Sequence, residues 1–361
     1  MKKLESVLSA ELVQPHRAAT IADVARITGY STATVSRVFN KSPKVAEKTR
    51  RAIDTAMRKL DYVPDHAARM LATHSSRTIG IVVPAIENTT YAVGITALQQ
   101  SLRRSGYTLL ISSSEYDLDL EMEEVQTMVT RGVDGIVLVG GIHKPEMIKL
   151  LEARAVPYVV TWVLSRELPC IGFDNRAAGA RVASHLLDLG HVDIAVIASL
   201  SATNDRAAAR VAGVRDALAS RGHSLPENHV IGGLGSIGEG KTAMRILMAI
   251  KAVPTAVICL NDALAFGVIL EAKSRGLKIP GDLSVVGFDD ADFAAELSPP
   301  LTTVRVPAVE IGVAAADYLV AQIEKTPTAR VVEIPANLII RASSGAPIRD
   351  KAAIRKIKNE H

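Results

Sequence analysis

A short segment near the amino terminus, STATVSRVFN, carries side chains that are suited to reading DNA bases. Thr32 and Ser36 are spaced four residues apart, as are Ala33 and Arg37, so these four side chains share one side of a helix. Arginine can donate two hydrogen bonds to guanine in the major groove, and small methyl-bearing side chains can contact the thymine methyl group. The pattern therefore predicts a helix whose polar side contacts base edges.

Two short helices joined by a glycine turn must position those side chains. Thr20 is a suitable helix cap, and Asp23 three residues later resembles a capping box. Gly29 suits the positive φ that ends a helix, and Ser31 is suited to cap the next one. Three apolar residues of the first helix predict its buried side: Val24, Ala25 and Ile27. This arrangement is a helix-turn-helix, with an ordinary solvated helical hairpin as the alternative.

A basic loop and a third helix are predicted at 41–61, where Ile53, Met57 and Leu60 have the spacing of a packed face. Residues 1–78 carry a net charge of +7 and the remaining chain −3, so nucleic acid is expected at one end only. Five basic residues can reach phosphates: Lys41, Lys44, Lys48, Arg50 and Arg51. The predicted DNA contacts in this head are Thr20, Ser31, Thr32, Ala33, Thr34, Ser36, Arg37, Asn40 and Lys48.

The composition is that of a multidomain protein with no membrane segment. The 361 residues suffice for two or three domains, and 48% are hydrophobic, without an apolar run of membrane-spanning length. Glu5 and Glu11 interrupt the opening segment, which is therefore a poor signal peptide and predicts a cytoplasmic protein. Two cysteines, Cys170 and Cys259, make no disulfide framework.

From Ile79 onward, short β-branched runs such as IGIVV, TLLIS, GIVLVG and IAVIA alternate with amphipathic helical segments. This alternation predicts doubly wound parallel sheets, and the number of units favours two α/β lobes. Ligands in such sheets bind at the carboxyl ends of the strands. Several polar or aromatic residues follow predicted strands or begin the helices after them, and are candidates for a binding cleft: Asn88, Tyr91, Ser112, Trp162, Arg206, Arg210, Asn261 and Asp289. A salt-bridged helix start is the alternative for Arg206, and a core position for Trp162.

Specific motifs resemble the lac repressor (LacI/GalR) family of bacterial transcriptional regulators. The match includes DVARITGYSTATVSRVFN, VAEKTRRAI, LDYVPDHAARMLATHSSRTIGIVVP, IGFDNRAAGARVASHLLDLGH and VICLNDALAFGVILEAKSRGLKIPGDLSVVGFDD, and extends over about 20–345. The resemblance implies a helix-turn-helix head and a periplasmic-binding-protein-like body that binds a small-molecule effector. It also implies an effector role for Phe173, Arg210, Asn261 and Asp289.

The resemblance further implies the domain bounds. These are a flexible extension at 1–19, the head at 20–61, a hinge helix and linker at 62–78, the body at 79–346 and a basic tail at 347–361. The N-lobe is expected at 79–173 plus 305–333 and the C-lobe at 174–304 plus 334–346. In the hinge, the resemblance makes Leu71 a wedge in the minor groove with Arg69 nearby. The tail lacks a leucine heptad run, so a homodimer on an inverted-repeat operator is expected.

The expected function is a sequence-specific repressor switched by a small metabolite. The segment GIHKPEMIKLLEARAVPYVVTW followed by IGFDN is similar to the gluconate-regulator branch, which favours a sugar or sugar acid. Two other classes stay open: a periplasmic-type binding protein and a nucleotide-binding enzyme. The second is suggested by GSIGEGKT at 235–242, which has the spacing of a phosphate-binding loop. The sequence predicts no enzyme activity, cofactor, metal or membrane partner.

Overall fold

Two units follow one another along the chain in the computed structural model, one up to Ser76 and one from Arg77 onward. The structure describes residues 19–39, 42, 44–62, 75–199, 201–233, 235–250 and 253–347. Most of the predicted extension at 1–19 and of the hinge at 62–78 lies outside these residues, as do Asn40, Arg69, Leu71 and almost all of the tail. No helix in the described ranges is long and apolar enough to cross a membrane.

The first unit contains the three predicted helices, α1 (Ile21–Thr28), α2 (Thr32–Phe39) and α3 (Glu47–Lys59). The capping box at the start of α1 is present, because the Thr20 hydroxyl accepts from the Asp23 amide while the Asp23 carboxylate accepts from the Thr20 amide. Gly29 ends the helix at φ 72°, where a side chain would be strained. Local capping signals therefore set the turn between α1 and α2.

Six apolar side chains form the core of this head: Val24, Ala25, Val35, Val38, Ile53 and Ala56. The prediction that Ile27 joins this core is wrong, because its side chain is 56% exposed. Ile21, Val24, Ala25 and Thr28 define the side of α1 that faces the core, and Ile27 lies roughly 100° around the helix from its centre.

The first sheet of the second unit forms the N-lobe. Its strands are β1 (Thr78–Val83), β2 (Thr108–Ser113), β3 (Gly135–Val139), β4 (Tyr158–Thr161), β5 (Cys170–Gly172) and, late in the chain, β11 (Val331–Glu333). They are parallel throughout, in the order β11-β5-β4-β3-β1-β2. Four helices cover the sheet: α4 (Thr89–Arg104), α5 (Leu118–Thr130), α6 (Pro145–Ala153) and α11 (Ala308–Ile323).

The second sheet forms the C-lobe. Its strands are β6 (Ile194–Ala198), β7 (Val230–Gly232), β8 (Ala256–Cys259), β9 (Ser284–Asp289), β10 (Thr302–Arg305) and β12 (Asn337–Ile339), in the order β12-β10-β9-β8-β6-β7. Only β12 runs antiparallel to its neighbour. The helices of this lobe are α7 (Asn175–Asp188), α8 (Asp205–Ala219), α9 (Ile237–Ala249) and α10 (Asp262–Ser274). The predicted α-helical head and pair of parallel-sheet lobes are thus confirmed.

Three chain segments cross between the lobes, from β5 to α7, from β10 to α11 and from β11 to β12. In the C-lobe, α7 and α8 pack backbone to backbone because glycines lie at their contact. A Cβ on Gly179 would lie 2.1 Å from the Arg210 carbonyl oxygen, and one on Gly213 would lie 1.9 Å from the Arg176 carbonyl oxygen. This close packing fixes the start of α8, which carries Arg206 and Arg210.

Candidate DNA-recognition face and effector cleft

The polar side of α2 is exposed to solvent, as contact with DNA bases requires. Thr32, Ala33 and Arg37 are exposed, whereas Val35 and Val38 are buried in the head. Ser31 caps the helix by accepting a hydrogen bond from the Thr34 amide at 3.2 Å. Ser36 and Thr34 are half-buried at the margin of the same side. The geometry therefore presents one arginine and two small side chains together.

The basic residues of α3 divide into a structural one and exposed ones. Arg50 donates to the carbonyl oxygens of Val38 and Ser42 at 3.3 and 2.9 Å, so it ties the end of α2 to α3. Arg50 therefore has a structural role, and its contact with a phosphate stays a prediction. Lys48 and Arg51 are exposed, and Arg51 pairs with Glu47 at 3.1 Å.

A cavity lies between the two lobes where the carboxyl ends of their strands face each other. Its volume is about 50 Å³, room for only a few water molecules, and it adjoins a pocket of about 660 Å³ that shares Asn88, Tyr116, Asn261 and Asp289 with it. Residues from both lobes line the smaller cavity: Asn88, Thr90, Tyr91, Tyr116, Trp162, Ser199, Asn204, Arg206, Ala207, Arg210, Leu260, Asn261 and Asp289.

Arg210 is the most heavily engaged cation of this cavity. Its Nε donates to Asn175 Oδ1 at 2.9 Å, and its Nη1 donates to the Leu260 carbonyl oxygen at 3.1 Å. The guanidinium carbon lies 3.7 Å from the ring centroid of Phe288 and 5.8 Å from that of Phe173. Burial lowers the pKa of Arg210 to about 10, which leaves the side chain charged at neutral pH.

Asp289 supplies a carboxyl group near this cation. Burial raises the pKa of its carboxyl group to about 7, while the charge of Arg210 and a hydrogen bond with Thr90 oppose that rise. Thr90 lies on the N-lobe helix α4 and Asp289 ends the C-lobe strand β9, so this contact bridges the lobes. Asn261 caps α10 by accepting from the Leu264 amide at 2.7 Å. The cavity therefore offers acceptors for ligand hydroxyl groups beside a fixed cation.

Two buried donors in the cavity have no hydrogen-bond partner among the described residues. They are the indole Nε1 of Trp162 and the Nη2 of Arg206, whose residues are 2% and 3% exposed. The ring of Tyr91 meets the Trp162 ring edge-on, with 5.2 Å between the centroids. Leaving a buried donor unpaired costs about 1–3 kcal/mol, so these two groups indicate a site for ligand oxygen atoms.

Comparison with known proteins identifies the chain. The model for the lacI family of bacterial regulatory proteins matches residues 20–65, and the model for a periplasmic binding protein-like domain matches residues 183–344. The HTH-type transcriptional repressor PurR of Vibrio campbellii is 34% identical over 329 residues, covering 90% of this chain and 98% of that protein. The chain belongs to the lacI family.

Solved structures agree with this membership. The lac repressor dimer bound to operator and the anti-inducer ONPF superposes with a TM-score of 0.81 at 26% identity, covering 91% of this chain and all of that one. Transcription regulator GntR from Chromobacterium violaceum gives a TM-score of 0.70 at 29% identity, covering 74% and 99%. This lacI-family chain is therefore a DNA-binding transcriptional regulator, and its relatives named here are regulators rather than enzymes.

The lacI-family cleft contains most, but not all, of the predicted effector residues. Seven of the nine line the cavity: Asn88, Tyr91, Trp162, Arg206, Arg210, Asn261 and Asp289. Phe173 is not among the lining residues, but its ring stacks on that of Phe288 at 6.4 Å and lies 5.8 Å from the Arg210 guanidinium carbon. Ser112 is not among the lining residues, because β2 continues to Ser113 and the cavity is reached only at Tyr116.

Sequence reasoning missed six lining residues: Thr90, Tyr116, Ser199, Asn204, Ala207 and Leu260. Tyr116 lies in the loop after β2 at φ 62°, and burial raises the pKa of its hydroxyl group. Asn204 caps α8 by accepting from the Ala207 amide at 3.2 Å. The sequence did contain a signal for Asn204. Like Asn88 and Asn261, it caps a helix that follows a strand, and this position predicts a residue at the carboxyl edge of the sheet.

The segment with phosphate-loop spacing does not form such a loop. Ser236 caps α9, and its hydroxyl and the Glu239 carboxylate form a capping box. The helix therefore begins at Ile237, and Gly240, Lys241 and Thr242 already lie inside it. A Cβ on Gly240 would lie 2.3 Å from the Leu264 carbonyl oxygen, so this glycine serves packing between α9 and α10.

Proposed function

We propose that this regulator is a repressor whose operator affinity is switched by a small polyhydroxylated metabolite, a sugar or sugar acid, bound between the lobes. The observation that carries the proposal is the pair of buried, unpartnered donors, Trp162 Nε1 and Arg206 Nη2. Asp289 and Asn261 line the same cavity and supply acceptors. A ligand with several hydroxyl or carboxylate oxygens satisfies both sets of groups.

On the DNA side, the proposal places α2 in the major groove of each operator half-site. Arg37 then pairs with guanine, and Thr32 and Ala33 contact neighbouring base edges. Thr20, Ser31, Thr34, Ser36 and Lys48 are proposed to contact the DNA around them. The base and minor-groove contacts of Asn40, Arg69 and Leu71 stay predictions, since these residues lie outside the described ranges.

The proposed switch is an equilibrium between arrangements of the two lobes. The lobes meet around the cavity, so a ligand that binds one arrangement more tightly shifts the population toward it. Because the N-lobe follows the DNA-binding head in the chain, a change in lobe arrangement in a homodimer alters how the two heads are spaced on the operator. Coupling of this kind amounts to about 1–3 kcal/mol.

The first experiment is a ligand screen on the full chain. Trp162 is the only tryptophan, so its fluorescence reports directly on the cavity. Sugars, sugar acids and purines are screened by this fluorescence and by the shift in thermal unfolding temperature. The proposal expects saturable binding of a sugar or sugar acid and loss of that binding in Asp289→Asn. Binding of purines alone would contradict the ligand class.

A further inference from the structure

A glycine pair of the N-lobe lies directly against Asp205 and Arg206, the first two residues of α8 in the C-lobe. Gly141 donates its amide to Asp205 Oδ2 at 2.8 Å, across the cleft. At Gly140, which has φ +97°, a Cβ would lie 2.0 Å from Arg206 Nη1 and 3.1 Å from Asp205 Oδ1. The positive φ favours glycine here, and a Cβ would displace the Arg206 guanidinium group from its present position.

The same loop is held to its own lobe by a buried pair. His143 Nδ1 lies 2.9 Å from Glu121 Oε2, and its Nε2 lies 2.9 Å from the Gly140 carbonyl oxygen. The side chains of His143 and Glu121 are 2% and 6% exposed. Glu121 belongs to α5, so the pair fixes the glycine loop to the N-lobe sheet and its helix. The loop therefore meets the C-lobe as a preformed surface.

Arg206 is shared between this contact and the ligand cavity. Its Nη1 donates to Asp205 Oδ1 at 2.8 Å, and its Nη2 is the buried donor without a partner. The hydroxyl groups of Tyr91 and Tyr116, both from the N-lobe, also interact with its guanidinium group. Movement of the glycine loop away from Asp205 would thus change the surroundings of the donor that faces the ligand.

We propose that Gly140 and Gly141 form a latch that holds the lobes closed on Asp205 and Arg206, and that Arg206 transmits ligand occupancy to this latch. The inference rests on the proposed effector function, because it concerns how the same cleft is regulated. Gly140, Gly141, His143, Glu121 and Asp205 act as positioning residues in this scheme, since they act on the ligand through Arg206. A ligand oxygen on Nη2 fixes the guanidinium group in the orientation that the latch requires.

The latch can be tested without any ligand by acrylamide quenching of Trp162 fluorescence in the full chain. Trp162 is 2% exposed in the closed cleft, so lobe opening increases its quenching. Gly140→Ala places a methyl group against Arg206, and Asp205→Ala removes the acceptor for Gly141 without adding bulk. We expect both to raise the quenching constant by about threefold or more, because each lowers the fraction of molecules whose lobes are closed around Trp162.

Two matched controls separate the latch from general damage. Gly106→Ala introduces a side chain at φ +78° where no atom lies within 4 Å, so it tests a side chain at positive φ without the collision. Asp216→Ala removes a carboxylate from the same helix as Asp205, where it pairs with Arg176 inside the C-lobe. Both controls should quench like the wild type. If Gly140→Ala fails to unfold cooperatively on heating, Asp205→Ala decides the test.

Wild-type quenching in Asp205→Ala, or an equal rise in the controls, would overturn the latch. Neither result bears on the effector proposal, which is contradicted instead by a ligand that binds the cleft and leaves operator affinity unchanged. If Asp205→Ala quenches like the wild type while the ligand still shifts operator affinity, closure depends on other contacts between the lobes. One such contact is the hydrogen bond from the Thr203 hydroxyl group to the Tyr116 carbonyl oxygen.

Discussion

Among single residues, Asp289 shows most clearly that a group suited to ligand binding can lower the stability of the fold. Its carboxyl group is buried, which raises its pKa to about 7, and the nearby Arg210 offsets only part of that rise. A raised pKa in the folded state contributes stability that is present below the unfolded value of about 4 and is lost as pH rises through about 7. An ionised Asp289 is thus costly to the empty protein and useful to a ligand hydroxyl group.

This balance gives a pH-dependent prediction. The thermal unfolding temperature of the wild type should fall relative to that of Asp289→Asn as pH rises from about 5 to about 8, because the variant lacks the buried carboxyl group at position 289, whereas the buried Asp262 is common to both proteins. Asp216→Asn is the control, since the hydrogen bond from Arg176 lowers the pKa of Asp216 and its stabilising effect is lost only on acidification. A difference between wild type and Asp289→Asn that does not change over this range would contradict the assignment.

Arg37 is the corresponding residue on the DNA side. It is exposed on the polar side of α2 and Val38 next to it is buried, so Arg37→Ala should leave the head folded. Loss of a bidentate base contact is expected to weaken operator binding by about 1–3 kcal/mol. Fluorescence anisotropy on operator and on random DNA checks this. Equal weakening on both would show that Arg37 contacts only phosphates.

Among elements, the head depends on Arg50 as well as on its apolar core. The Arg50 guanidinium group bonds to two carbonyl oxygens at the end of α2 and in the following loop, so Arg50→Ala should loosen the attachment of α2 to α3. Hydrogen bonds to a charged donor contribute about 1.5–3 kcal/mol. Hydrogen exchange of the full chain should show faster exchange in 20–60 for Arg50→Ala than for Arg51→Ala, whose exposed side chain pairs only with Glu47 in the described structure. Equal exchange in the two variants would contradict this role.

The same elements show what the sequence can predict. Caps and turns depend on nearest neighbours, so Thr20, Asp23 and Gly29 could be interpreted directly. The main strands, from IGIVV to LSVVGF, followed from continuous β-branched runs, whereas the three-residue strands β5, β7, β11 and β12 were too short to give a pattern. Cleft residues just after a strand or at a helix start were predicted, as with Trp162 and Asp289. Tyr116 and the Gly140–Gly141 pair were missed because their role depends on a contact with the other lobe.

For the whole molecule, a prediction about the operator follows from the proposed homodimer. Two identical heads related by a two-fold axis require an inverted repeat. A flexible pyrimidine–purine step at its centre would lower the cost of a kink at the predicted Leu71 wedge. Footprinting should therefore protect two symmetric half-sites and a centre that tolerates bending. Protection of a single unrepeated half-site by a monomer would contradict the dimeric arrangement.

The account depends most on the coupling between the cleft and the operator. Binding in the cleft can change DNA affinity only if the ligand binds one lobe arrangement more tightly than the other. The decisive measurement is therefore an operator titration monitored by fluorescence anisotropy. It is made with and without a ligand that saturates the Trp162 fluorescence signal. We expect operator affinity to change by about 5-fold to 150-fold in the wild type, and not to change in Asp289→Asn at the same ligand concentration. An operator affinity that stays constant while the Trp162 signal saturates would contradict the account.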